Sequence, residues 1–187
     1  MHCVKSEQTI EDTIKKSRFI GVIAPCSTEA KAGIILRRLH QKHPNASHIA
    51  FAYRINASQG IGYRFHDAGE PSGTAGKPIF HHLEGKLDLI NVLIAVIRYF
   101  GGIKLGAGGL TRAYGNTAKK AIESAELFTF VALSNIQVKL DYKQLQNFEY
   151  QLQKLQGQIV SKEFQDKVTL TISLPKTNLD KLSQILD

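Results

Sequence analysis

The sequence predicts an α+β protein built from two domains. Three observations carry that expectation. Leu93 to Tyr114 reads as a β-branched apolar run, then a loop with five glycines (Gly101, Gly102, Gly106, Gly108 and Gly109), then a helical pattern. The segments after Ser134 follow the order βαββα. Between these regions glycine collapses and glutamine rises, which places a domain boundary near Leu133–Ser134, with domains over 1–133 and 134–187.

Each element has a local reason. Phe19 to Ala24 reads as a short strand behind the basic cluster Lys15, Lys16 and Arg18. Ser27 or Thr28 caps a helix to about His43, with Ile34, Ile35 and Leu39 on its apolar face and Pro44 just past its end. Ser47 to Ile55 alternates as a strand. Ile49, Phe51 and Tyr53 point one way; His48, Ala50, Ala52 and Arg54 point the other. A turn at Asn56-Ala57-Ser58-Gln59-Gly60 joins it to a second strand, Ile61 to Phe65, as a hairpin. The loop from His66 to Pro78 is too rich in Gly and Pro for a regular element. Pro78 suits the first turn of a helix through Lys86. Asp88 to Arg98 is a buried strand, the next helix runs to about Ala125, and Phe128 to Leu133 reads as one more short strand. In the second domain Ile136 to Leu140, Gln158 to Phe164 and Val168 to Leu174 are strands. Tyr142 to Gln156 and Thr177 to Leu186 are helices. A last strand would complete a four-stranded α+β sandwich; the sequence reaches Asp187 without one, which predicts an open sheet edge or a shortened chain.

Composition narrows the function. A hydrophobic fraction of 43% over 187 residues supports a real core. No apolar run reaches the ~18 residues of a membrane span, so no membrane partner is expected. Glu7, Glu11 and Asp12 near the start argue against a signal peptide. Cys3 and Cys26 lack metal-ligand spacing and fit a reducing compartment, the cytoplasm, although a disulfide between them stays open. The net charge is +8, and residues 1–133 hold 17 Lys+Arg against 10 Asp+Glu while residues 134–187 hold 7 against 6. The basic excess therefore sits in the first domain. It favours an anionic partner there: nucleic acid, a phosphorylated ligand or an acidic protein face.

The two glycine-rich loops fit no nucleotide fingerprint. G-x-x-x-x-G-K-[ST] fails because Pro71 and Pro78 occupy required positions. G-x-G-x-x-G from Gly106 fails at Thr111. Strand, glycine loop and helix N-terminus still suit a bound anion, because free backbone N–H groups face it. The spacing of His66, Asp67, Glu70, His81 and His82, or of His40 and His43, matches no zinc pattern, and no cofactor is called for. Asp67 and Glu70 are a candidate carboxylate pair for acid–base work. Equally, Glu70 can pair with Arg98 or Lys77, or accept N–H bonds from its own loop. Basic and aromatic residues interleave at Tyr53, Arg54, Tyr63, Arg64, Phe65, Arg98, Tyr99 and Phe100, a pattern that suits single-stranded nucleic acid. Phe65 and Phe100 are assigned to the core.

These residues resemble the IMPACT/YigZ family. The loop Asp67 to Pro78 is similar to one family signature, and Arg98 to Gly106 with Gly108-Gly109-Leu110 and Arg112-Ala113-Tyr114 to a second. Lys16-Ser17-Arg18-Phe19-Ile20, and His48 with Ala52-Tyr53-Arg54, also fit. Two departures are Ala68, where the family often has a second acid, and Ala50, where it often has cysteine. The resemblance implies a two-layer N-terminal α/β domain, like domains of a small-subunit ribosomal protein and of elongation factor G, with a left-handed βαβ crossover. It also implies a ferredoxin-like C-terminal domain. Eukaryotic members of the family regulate translation; bacterial members have no settled activity.

The expected function is a cytoplasmic, translation-associated regulator that binds RNA or the ribosome. Gly101, Gly102, Gly106, Gly108 and Gly109, with Lys77, Arg98, Lys104 and Arg112, would hold phosphates. Arg54, Arg64, Glu70, Ser72 and Thr74 would complete the surface, with Tyr53 and Tyr99 stacking on bases. The alternatives are an enzyme acting on a small phosphorylated or acyl substrate through Asp67 or Glu70, and a regulator that binds a protein of the translation machinery.

Overall fold

A computed structural model describes residues 1–57 and 59–186; Ser58, in the expected turn, lies outside the described residues. The chain divides into two compact units, Met1–Thr129 and Phe130–Asp187.

In chain order the first unit contains β1 (His2–Val4), β2 (Gln8–Ile14), β3 (Ser17–Pro25), α1 (Glu29–Lys42), β4 (His48–Ala57) and β5 (Gly60–His66). It continues with α2 (Gly76–Glu84), β6 (Val92–Tyr99), α3 (Gly106–Glu123) and β7 (Leu127–Thr129). Five strands form one sheet in the order β2-β3-β6-β4-β5, every neighbouring pair antiparallel. β1 and β7 pair as a separate short ribbon.

The central strand β6 explains the layering. Its run Val92 to Ile97 is apolar at every position and buried on both faces. Val92, Ile94 and Val96 pack with Phe19, Ile23 and the α2 and α3 residues Ile79, Leu83 and Tyr114. Leu93, Ala95 and Ile97 pack with Ile20, Val22 and the α1 residues Ala32, Ile35 and Leu39. The expected two layers are therefore three: α1, the sheet, then α2 with α3. An uninterrupted apolar strand needs a cover on each side.

The crossovers follow from the strand order. β3 and β4 flank β6, run parallel and are joined through α1; β5 and β6 flank β4, run parallel and are joined through α2. The second connection starts from a strand of opposite direction, steps the opposite way across the sheet and uses the opposite face. Three reversals give opposite hands, so one of the two crossovers is left-handed, against the usual preference.

The hairpin of β2 and β3 gave no clear sequence signal. Ile14 pairs with Ser17, and the two residues between, Lys15 and Lys16, have φ of 46° and 64°. This is a two-residue turn with both central residues left-handed, the I′ geometry that normally selects Asn-Gly. Lys-Lys hides it, and Glu11 and Asp12 depress the strand signal of β2. Only Ile10 and Ile14 of β2 reach the core.

The second unit contains β8 (Leu133–Leu140), α4 (Leu145–Lys154), β9 (Gln158–Phe164), β10 (Val168–Pro175) and α5 (Leu179–Leu186), in the expected βαββα order. Its strands lie in the order β8-β10-β9, all antiparallel. Alternation along β10 turns Val168, Leu170, Ile172 and Leu174 toward Phe148 and Leu152 of α4 and Leu182 of α5. Asp141 and Gln144 form a capping box on the short 3-10 turn before α4.

Candidate functional site

The loop between β5 and α2 is folded around one carboxylate. Asp67 Oδ1 accepts the N–H groups of Ala75 (3.0 Å) and Gly76 (2.8 Å), and Oδ2 accepts that of Gly73 (2.9 Å). Burial pushes the Asp67 carboxyl up, but the N–H donors of Gly73, Gly76 and Ala75 outweigh it and hold it below the usual aspartate range. Thr74 Oγ1 donates to the Pro71 carbonyl at 2.6 Å and closes the loop further.

That folding turns Glu70 inward. Its side chain is 3% exposed, and Oε1 accepts from Arg98 Nη1 at 2.6 Å and from the Tyr114 hydroxyl at 2.8 Å. His48 donates from Nδ1 to the Ala68 carbonyl at 2.9 Å, and its Nε2 lies 3.8 Å from the same Glu70 oxygen. Burial, then the hydrogen bond to Glu70, pushes the Tyr114 hydroxyl far above the usual tyrosine range, so it stays a donor. A buried Arg–Glu–Tyr cluster thus joins β6, the loop and α3.

The second loop packs on the Lys15-Lys16 turn. A Cβ on Gly101 would stand 1.9 Å from the Lys16 carbonyl oxygen, so only glycine fits there. Gly101 N–H donates to Ser17 Oγ, and Phe100 N–H to Ser47 Oγ. Gly102 and Gly106 take positive φ, 84° and 71°. α3 then begins without a side-chain cap and without an acid in its first turn. Its free N–H groups and the positive end of its dipole face outward beside Lys104, which is exposed. A cavity of about 470 Å³ opens there, bordered by Ser47, His48, Glu70, Arg98, Lys104 and Gly106.

The structure sorts the remaining expected site residues. Lys77 and Arg112 border a different cavity between β5, α2 and α3. Arg112 also borders, with Lys15 and Gly109, a hollow of about 430 Å³. Gly108 faces open space, and Ser72 is exposed. Arg64 is exposed on β5, opposite Tyr53 in the ladder.

Several residues are committed elsewhere. Arg54 is 5% exposed and donates to the carbonyls of Lys86 (2.8 Å) and Leu89 (3.3 Å), bracing the segment before β6. Tyr53 is buried and donates to Glu29 Oε1 at 3.0 Å, so it is core and not a stacking platform. Tyr99 is half-buried, bonded to His43 and covered by the Arg18 guanidinium. Arg98 is held by Glu70, and Thr74 by its own loop. Both Asp67 oxygens are occupied and Glu70 pairs with Arg98, so of the two roles the sequence left open for Glu70 the structure shows the ion pair and not a free acid–base pair with Asp67. The assignment of Phe65 and Phe100 to the core also fails: they are 39% and 49% exposed. Lys15 and Lys16 enter beside the glycine loop, a role that only the turn geometry reveals.

Comparison with known proteins covers nearly the whole chain. Residues 15–122 match the family description Impact N-terminal domain, and residues 138–187 match a domain of unknown function, DUF1949. An IMPACT family member of Haemophilus influenzae is 36% identical over 185 residues, 97% of this chain and 88% of the relative. The IMPACT family member YigZ of Escherichia coli is 34% identical over 178 residues, 94% of this chain and 86% of the relative. A crystal structure described as a hypothetical protein matches with a TM-score of 0.74 at 32% identity, covering 99% of this chain and 90% of that one. Among the described residues no helix is long and apolar enough to cross a membrane.

Proposed function

Because the chain belongs to the IMPACT family, we propose that it is a cytoplasmic, translation-associated regulator that holds RNA at the start of α3. The observation that carries this reading is the bare N-terminus of an 18-residue helix, with no side-chain cap and no acid in its first turn, opening on a cavity beside Lys104. An uncapped helix start needs acceptors, and phosphate oxygens supply them. Glu70 does not oppose an anion there, because Arg98 bonds it directly at 2.6 Å. Lys15 and Lys16 extend the positive surface across the hairpin turn. The basic excess of residues 1–133 supports the same ligand class.

Asp67 organises its own loop and Glu70 accepts within a buried cluster, an arrangement that favours binding over acid–base catalysis by this pair.

The test is RNA binding by the full chain between low and moderate salt, with Lys104→Glu beside the parent. The expected result is an affinity that falls with salt and falls again in the variant. Absence of binding at low salt, or binding with no salt slope, refutes phosphate contact. A protein partner that is captured equally after nuclease treatment, with no RNA bound, also overturns it.

A further inference from the structure

We infer that the groove between β5, α2 and α3 seats one nucleotide of a single-stranded nucleic acid, its base on Tyr63 and Phe65 and its phosphate against Lys77 and Arg112. The groove encloses about 670 Å³. β5 is an outer strand of the sheet and exposed at every position. The strand period puts Tyr63 and Phe65 on one face. Both rings lie against Phe80, with centroids 4.6 and 5.5 Å away and planes within 19° and 25°. Phe80 is buried and anchors the pair, while Tyr63 stays 61% exposed. An anchored ring with a free face is a platform for any base.

The opposite wall is polar. Lys77 comes from the first turn of α2 and Arg112 from the second turn of α3. The acid in the lining, Glu84, faces His81 at 3.7 Å. Burial, then the charges of His81 and Lys119, lowers the His82 pKa, which favours its neutral imidazole. A neutral imidazole and the Asn116 amide each offer a donor and an acceptor to a base edge. An apolar peptide would leave both cations unmatched, and inorganic phosphate would leave the aromatic floor empty. A base joined to a phosphate uses both. The ring faces stand open along a sheet edge, which suits a passing chain and not an enclosed small molecule.

The inference rests on the reading above for its ligand class but on different residues, so the two fail separately. The experiment is fluorescence anisotropy of a short labelled oligouridylate with the full chain, competed by uridine monophosphate and by inorganic phosphate. Tyr63→Ala should weaken binding about five- to one-hundred-fold, and Tyr63→Phe should restore it. Arg112→Ala should weaken it and lower the salt slope by about one. If Tyr63→Ala and Arg112→Ala bind like the parent while Lys104→Glu does not, the groove is excluded and the α3 site stands. If Tyr63→Ala weakens binding and Lys104→Glu has no effect, the groove stands and the α3 site is excluded. Uridine monophosphate competing as well as the oligonucleotide would overturn the strand in favour of a free nucleotide. A peptide bound along β5 with no response to Arg112→Ala would overturn it in favour of strand addition.

Discussion

Replacing Asp67 by Asn tests whether one charge holds the signature loop. The side chain keeps its shape and loses its charge. An amide oxygen can still face the N–H groups of Ala75 and Gly76, but the amide nitrogen then faces the N–H of Gly73, donor against donor. Hydrogen bonds to a charged group contribute about 1.5–3 kcal/mol and neutral ones about 0.5–1.5. Two weakened bonds and one lost bond give a loss of about 4–5 kcal/mol. Urea denaturation of the full chain measures the loss, and hydrogen exchange at Gly73, Ala75 and Gly76 localises it. The pH dependence has a definite sign. The folded pKa of Asp67 is depressed, so its contribution is complete above the unfolded value near 3.9 and is lost as pH falls through the lower folded value. The gap between parent and Asp67→Asn should be flat at neutral pH and shrink below about pH 4. A gap under about 1 kcal/mol, or one unchanged to the acid limit of folding, refutes the argument.

Other expectations concern the parts around that loop. Arg98→Met leaves Glu70 buried without its cation and should cost about 3–5 kcal/mol by urea denaturation, whereas Glu70→Leu with Arg98→Met should cost less than Arg98→Met alone. Gly101→Ala drives a Cβ into the Lys16 carbonyl and should destabilise by about 2 kcal/mol or more, read as a lower thermal midpoint. Lys15→Asn with Lys16→Gly supplies the residues that the turn geometry favours and should stabilise by about 1–2 kcal/mol. The same double change removes two cations beside the glycine loop, so RNA binding at low salt should weaken even as the midpoint rises.

Much of the framework is local and was readable from residue order. Thr28, one of the two adjacent residues that the sequence offers as the cap, caps α1, with its side chain accepting from Lys31 N–H. The alternation of β4, the apolar run of β6 and the βαββα order of the second unit follow from period and turn chemistry over a few residues. The loop that ends at a helix start was equally legible, because glycine spacing and the absent cap are neighbours in sequence. The meaning of each charged or aromatic side chain was not. Arg54 and Arg64 stand in the same kind of pattern, yet one is buried against two carbonyls and the other is exposed. Sheet order decides that difference: β4 lies inside the sheet and β5 at its edge. Glu70 finds Arg98 28 positions away and Tyr114 44 positions away, and no local rule specifies such partners. The same packing separates Lys104 from Lys77 and Arg112 into two cavities. Residue order was enough for most of the elements (β1 and β2 excepted), the basic first domain and the family, because those depend on composition and short-range spacing. Tertiary structure alone decided which side chains remain free to bind, because burial and pairing depend on what folding brings from elsewhere in the chain.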